Sequence, residues 1–294
     1  MNIEMKHLFA AVALGFAATT TMAQDNPDSQ YASWPTYSGD DLEMKIDKHG
    51  TDFTLWSPKA DAVQVRLYDT DRNSAPVRLI DMARGDNGTW RASVPERLYG
   101  KFYTFAVTID GKQLDETPGI WAKAVGTNGH RAAIIDMPAT NPAGWDQDHG
   151  PRLDNITDAV LYEMHHRDFS IDPSSGIVHK GKFLALTERD TKSPEGRATG
   201  IDHLKELGVT HVHILPSYDY NSVDEANLPS NQYNWGYDPY NYNAPEGSYS
   251  TDPADPTARI REMKEMVKAL HDAGIGVVMD VVYNLSLIHI LTLP

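Results

Sequence analysis

Tyr233, Trp235, Tyr237, Tyr240 and Tyr242 put five aromatic rings within ten residues, interleaved with Asn234, Asp238, Asn241 and Asn243. Pyranose sugars have apolar C–H faces and polar rims. Flat side chains stack on the faces, while amides and carboxylates bond the hydroxyls. One such stack removes about 40 Å² of apolar surface from water, worth about 1 kcal/mol. The same composition also describes a Tyr/Asn-rich surface loop that binds nothing, so residue types alone leave both readings open.

A second candidate is Asp280, which stands in the otherwise apolar run of residues 277–282. A carboxylate in such a run is costly unless hydrogen-bonded. It reads either as part of a site or as a structural brace. Other polar groups carry less. His211 and His213 share one face of a strand, but no third zinc ligand stands at suitable spacing, so packed or hydrogen-bonded histidines are expected. Asp69, Asp71 and Asn73 begin like a calcium loop, but Ser74 and Ile80 stand where the glycine and the last ligand belong. Glu163 and Asp168 are near in sequence, which does not set their carboxyls face to face. Residues 188–190 and 259–268 read as solvated charge runs.

The elements that must position these groups fall into two patterns. From residue 33 to 140 the period is two. Val63, Val65 and Leu67, then Trp90, Ala92 and Val94, then Tyr103, Phe105 and Val107 each alternate with their neighbours. Asp110-Gly111 is a hairpin signal. This predicts an antiparallel β-sandwich, with Trp56, Trp90 and Trp121 packed inside rather than touching sugar. Residues 141–158, rich in Pro, Gly, Asp and Asn, read as a linker.

From residue 159 the pattern becomes strand, helix, strand, helix, strand. Strands are expected at 159–164, 210–215 and 277–282. Thr199 caps a short helix that turns Ile201, Leu204 and Leu207 to one side, ended by Gly208. Asp255 caps a longer helix with Pro256 at its first position. Ile260, Met263, Val267 and Leu270 line its buried side, and Gly274 stops it. Helix-to-strand turns are terse, while the strand-to-helix loops, residues 167–198 and 216–254, are long. That asymmetry predicts the first three strands of a (β/α)₈ barrel, whose site is built from those loops. The aromatic string falls within the second.

The chain has 294 residues, a formal charge of −15 and no cysteine. Strong negative charge argues against nucleic acid and anionic membrane as partners, whereas a neutral polysaccharide makes no demand on charge. Residues 1–23 have Lys6, an apolar run and small residues at Thr21-Met22-Ala23, the pattern of a secretory signal. We therefore expect a secreted or periplasmic protein, with residues 24–32 as a spacer and no cysteine for a lipid anchor.

The string Tyr233-Asn234-Trp235-Gly236-Tyr237-Asp238-Pro239, continuing through Asn243-Ala244-Pro245-Glu246-Gly247-Ser248-Tyr249 to Pro253, closely resembles the signature of type I pullulanases. These are debranching enzymes of glycoside hydrolase family 13 that cleave α-1,6 linkages in pullulan, amylopectin or glycogen. Phe53-Thr54-Leu55-Trp56-Ser57-Pro58 resembles the N-terminal module of debranching enzymes, carbohydrate-binding module family 48. Tyr162 to Ser170 resembles the family's first barrel strand and its exit, and Asp280-Val281-Val282-Tyr283-Asn284 its first conserved region. The resemblance implies that Tyr237 stacks under the sugar at the cleavage point, with Trp235 in the same glucan-binding loop. Asp238 and Asp280 would brace that site. Asn284 would hold loop geometry and, in some relatives, a calcium ion, the one cofactor implied. A branched α-glucan would be the partner.

The resemblance also implies a retaining mechanism with two carboxyl groups about 5–5.5 Å apart. It places the nucleophile on the fourth strand, the acid/base on the fifth and a stabilising aspartate after the seventh. No position of this sequence matches them, so the 294-residue chain is expected to be inactive, with residues 159–294 poorly ordered on their own. At Leu285 the likeness stops, and residues 285–294 are uncharged and apolar where a polar loop is due, which reads as frameshifted or adapter-derived sequence. Two rival readings are a non-catalytic glucan-binding protein and a branching-type transferase on the same fold.

Overall fold

The computed structural model describes residues 31–230, 232–283 and 285. The signal segment, Asn284 and residues 286–294 lie outside the described residues, as does most of the spacer. Residues 31–35 stand apart from the main unit, and Tyr31 and Trp34 meet there edge to face at 4.8 Å.

Alternating apolar residues make two antiparallel sheets. One pairs β1 (Glu43–Asp47), β2 (Gly50–Trp56), β6 (Thr89–Val94) and β5 (Ala83–Arg84) in that spatial order. The other runs β4 (Arg78–Asp81), β3 (Ala62–Tyr68), β7 (Phe102–Ile109) and β8 (Lys112–Gln113), with β9 (Ala132–Ala133) on the same β7. Period-two spacing sends Phe53, Val65, Leu67, Tyr103 and Phe105 into the gap, each at most 2 % exposed. The β7–β8 hairpin turns at Asp110 and Gly111, whose φ of 51° and 72° suit the tight turn expected there. Trp90 is buried, its indole donating to the Ser57 carbonyl at 3.0 Å. The expectation for its two companions was wrong. Trp56 is 36 % and Trp121 49 % exposed, because their positions fall on the solvent side of a strand and in a loop.

Residues 141–158 form no strand, and they are tied down. The Lys264 ammonium donates to Asn141 at 2.6 Å and sits over the Trp145 ring, and Asp148 meets His271 at 2.7 Å. The segment is laid along a helix by side-chain contacts that composition does not reveal.

Beyond it, β10 (Leu161–Met164), β11 (His211–Ile214) and β14 (Gly276–Met279) form a parallel sheet in that order. Register sets Glu163, His213 and Val278 in one row. Short α1 (His166–Ser170) follows β10, and α2 (Gly200–Leu207) precedes β11. The hairpin of β12 (Tyr218–Tyr220) and β13 (Pro239–Pro245) leads to α3 (Pro256–Asp272). Asp255 caps α3 by accepting from the Thr257 amide at 2.8 Å. Thr199 precedes α2, but its hydroxyl donates to the Ser175 carbonyl at 2.6 Å instead of capping. Val212, Ile214, Ile201, Leu204, Met266 and Leu270 close a core with no exposed surface.

Three details correct the sequence reading. Leu207 is 51 % exposed, since the short helix ends before that face returns to the core. Asp280 sits one residue beyond β14 rather than within it. Arg259 is fully buried and Glu262 nearly so, where a solvated run was expected. Leu161 and Val278, on the outer two strands, stay exposed on the sheet face opposite the helices. Among the described residues no helix is long and apolar enough to cross a membrane.

The described residues from Thr36 onward form one compact unit. Ala244 of β13 belongs to the sandwich core, and Ile260 of α3 packs with Ala124 and Ala133 of the sandwich. Residues from both parts also share a buried polar cluster. The Arg259 guanidinium donates to Asp219 at 3.1 Å, to Glu225 at 2.9 Å and to the Gly126 carbonyl at 3.4 Å. The Asn128 amide donates to Glu225, and the Glu225 amide to the Asn128 side chain, both at 2.7 Å.

Candidate functional site: an aromatic loop hinged on the end of the third strand

The aromatic string leaves β12 and re-enters at β13, so its ends are held by a two-stranded ladder. Gly236 makes the turn possible. Its φ is +89°, and a Cβ there would come within 2.8 Å of the Pro216 carbonyl oxygen. The loop then braces itself. The Asn234 amide side chain donates to Asp238 at 2.7 Å, Ser222 donates to the other Asp238 oxygen, and the Gly236 amide donates to Asn234 at 2.8 Å. Asp238 is therefore turned into its own loop as a brace.

His165, at the exit of β10, anchors the loop from the neighbouring strand. Its ring nitrogen Nε2 lies 2.8 Å from the Asn234 carbonyl and 3.1 Å from the Tyr249 hydroxyl. Only its place in the strand exit marked it in the sequence. Beside it His166 is buried against Phe183 and Tyr249, and burial pushes its imidazole down to about 3, so it stays neutral.

With its ends and middle fixed, the loop presents Tyr233, Trp235 and Tyr237 outward at 46 %, 58 % and 38 % exposure. These large apolar rings rim a shallow, open depression with Ser222, Asn234 and Asp238 as its polar edge. Tyr237 reaches across to the barrel strand, its hydroxyl donating to Asp280 Oδ2 at 2.6 Å. That bond, with partial burial, pushes the Tyr237 phenol up to about 12. Asp280 thus has the partner that a carboxylate at a strand end requires. A second row of rings lies behind: Tyr242 packs on Tyr218 at 6.1 Å and on Tyr283 at 5.6 Å.

Of the five residues singled out in the sequence, the fold joins Tyr237 to Asp280 directly. Trp235 and Asp238 stand on the same loop, and Asn284 lies outside the described residues. Glu163 and Asp168 are not paired with each other. Glu163 approaches His213 at 3.7 Å, and Asp168 bonds Arg167 at 3.1 Å. His211 accepts or donates at 2.9 Å with Thr210, a hydrogen-bonded histidine as expected.

The sequence reading missed Asp219, Glu225 and Glu246, whose ligand oxygens lie within 4.8 Å of one another. Such spacing suits a cation, but the Arg259 guanidinium already bonds two of the three. Burial and the crowding of like charges raise Asp219 and Glu246 above the ordinary carboxylate range. The cluster is a buried ion network rather than a metal site.

Residues 38–123 match the family described as carbohydrate-binding module 48, the isoamylase N-terminal domain, and residues 190–287 match the α-amylase catalytic domain. The pullulanase of Bacillus subtilis (strain 168) is 40 % identical over 234 residues, which cover 80 % of this chain and 31 % of that protein. The crystal structure of pullulanase from Paenibacillus barengoltzii in complex with maltohexaose and α-cyclodextrin matches with a TM-score of 0.84 and 50 % identity. This chain belongs to the pullulanase group of the α-amylase family.

The pullulanase match to the Paenibacillus structure covers 87 % of this chain and 40 % of that one. The pullulanase from Bacillus acidopullulyticus gives a TM-score of 0.82 at 45 % identity, over 86 % of this chain and 31 % of that one. The chain spans less than half the length of each of these relatives. Its sandwich is the carbohydrate-binding module 48 part of the pullulanase layout, and its parallel sheet is part of the catalytic barrel.

Proposed function

We propose that this chain belongs to an exported debranching enzyme that hydrolyses α-1,6 linkages of branched α-glucans with retention of configuration. The observation that carries the reading is the Tyr237–Asp280 hydrogen bond of 2.6 Å. It sets an exposed aromatic face against the C-terminal end of a parallel strand, where barrels of this kind build their sites. Tyr237 and Trp235 would stack on glucosyl units, Asp238 and Asp280 would hold the loop and the strand end, and Asn284 would support the adjoining loop. The co-crystallised maltohexaose of the Paenibacillus relative supports a glucan as ligand.

Hydrolysis needs a nucleophile and an acid/base about 5–5.5 Å apart, and neither role falls to a described residue on this reading. The 294-residue chain should therefore bind glucan without cutting it. The test is a starch pull-down beside a reducing-sugar assay on pullulan, run on this chain and on a gene carrying the later strands. We expect retention on starch by both and sugar release by the longer protein alone. Sugar release by the short chain would overturn the assignment of roles. Chain rearrangement without new reducing ends would favour a branching-type transferase. Export rests on residues 1–23, and periplasmic or extracellular recovery of a fusion to that segment tests it.

A further inference from the structure

A cavity of about 300 Å³ opens beside the aromatic loop, and its charge is unlike that of the rest of the molecule. One wall comes from the residues after β10, which contribute Arg167, Lys180 and Lys182. The other comes from the loop after β11, which contributes Val223, Leu228 and Asn234. Among the described residues no carboxylate lines it, in a chain of net charge −15. The volume is in the range of small-molecule sites, which run from about 300 to 1,000 Å³.

The two lysines are the informative residues. Both are half-buried, and neither makes an ion pair among the described residues. Each ammonium has three donors. Lys182 uses one on the Ser248 carbonyl at 2.8 Å, and Lys180 uses one on the Ile177 carbonyl. Among the described residues the remaining donors have no protein acceptor. Burial lowers the Lys182 ammonium from its ordinary value, so holding it charged there is a cost that a bound anion would offset. Three carboxylates, Glu262, Glu246 and Glu225, act on Lys182 from behind the wall, but their oxygens are engaged. Glu262 accepts from the Thr251 amide at 2.8 Å, Glu246 from the Ser248 amide at 2.8 Å, and Glu225 from Arg259 at 2.9 Å. Asp168 is held by Arg167.

We infer that this cavity is a binding site for a phosphate monoester carried on a glucosyl unit, with Lys180, Lys182 and Arg167 taking the phosphoryl oxygens. Asn234 belongs both to the cavity and to the aromatic depression, so a glucan on Tyr237 and Trp235 lies next to the opening. The sugar half of the inference rests on the glucan reading of the loop, whereas the anion half does not.

Calorimetric titration of the 294-residue chain with inorganic phosphate, glucose 6-phosphate, a 6-phosphorylated maltooligosaccharide and maltotriose separates the two halves. Glucose 6-phosphate should bind at least tenfold more tightly than inorganic phosphate, and both should weaken with added salt. A phosphorylated oligosaccharide binding more tightly still makes the source a glucan chain. Equal binding makes it a free sugar phosphate. Lys180→Glu should abolish anion binding and leave maltotriose binding unchanged. Tyr237→Ala should weaken maltotriose and leave inorganic phosphate unchanged. Lys182→Met serves as a second variant, read alongside far-ultraviolet circular dichroism. Absence of saturable phosphate binding, or undiminished binding in folded Lys180→Glu, overturns the anion site. Equal affinity for phosphate and glucose 6-phosphate overturns the sugar assignment alone.

Discussion

On the proposed reading Tyr237 combines two functions in one side chain: its exposed ring would take a sugar face, while its hydroxyl donates to Asp280. Substitution can separate them. Tyr237→Ala removes the stack and should weaken glucan affinity by about 1 kcal/mol, roughly fivefold. Tyr237→Phe keeps the face and should retain most of that affinity while releasing Asp280. Affinity electrophoresis in starch gels reads both, and an Ala variant as retarded as the parent would dismiss the stack. A different residue governs pH dependence. Glu43 in β1 is buried with one carboxyl oxygen unpartnered, and burial pushes it up to about 8. The folded state thus keeps a proton that the unfolded chain releases near pH 4.5. Stability should fall as pH rises from about 4.5 to about 8, by a few kcal/mol in all. In Glu43→Gln that slope should flatten, as denaturant melts at pH 5 and pH 8 will tell.

At the scale of elements, the candidate site is a loop whose shape is set by its own polar side chains and by one glycine. Gly236→Ala must both adopt φ near +89° and relieve a 2.8 Å approach to Pro216. We expect a loss of at least about 1 kcal/mol and early protease cleavage between residues 230 and 240. Unchanged melting and cleavage would mean that the loop tolerates another path. The loop's rings were legible in the sequence because aromatic and amide residues were crowded together. The anchor His165 was not, because its partner Asn234 is 69 residues away and contributes only a carbonyl. Cap and stop residues of α3 were legible for the opposite reason: Asp255 acts on Thr257, two residues on. Leu207 was misassigned because apolar spacing does not say where a short helix stops facing the core.

For the whole molecule, the decisive feature is the Arg259 network joining α3 and the β12–β13 region to the sandwich loop at Gly126 and Asn128. Removing one partner of a buried ion network leaves uncompensated charge. Arg259→Leu should destabilise the protein by about 3–5 kcal/mol and uncouple melting of the two parts. A single unshifted transition would refute that coupling. The exposed Leu161 and Val278 on a three-stranded sheet put apolar surface and open strand edges in water. Limited proteolysis of the 294-residue chain should therefore leave the sandwich as the longest-lived fragment, and a resistant barrel segment without it would contradict this.

The sequence alone was enough for the order of the two architectures, the cap of α3 and the aromatic loop, because each is written in neighbours a few residues apart. Periodicities of two and of three to four residues, turn residues and local composition need no knowledge of the fold. Only the tertiary structure decided that Arg259 is buried, that Trp121 is exposed and that residues 141–158 are strapped to α3. It alone brought Tyr237 to Asp280 and gathered cations around one cavity. Those outcomes depend on which distant segments share space, and a charged residue looks the same in the sequence whether its partner is solvent or a carboxylate 40 positions away.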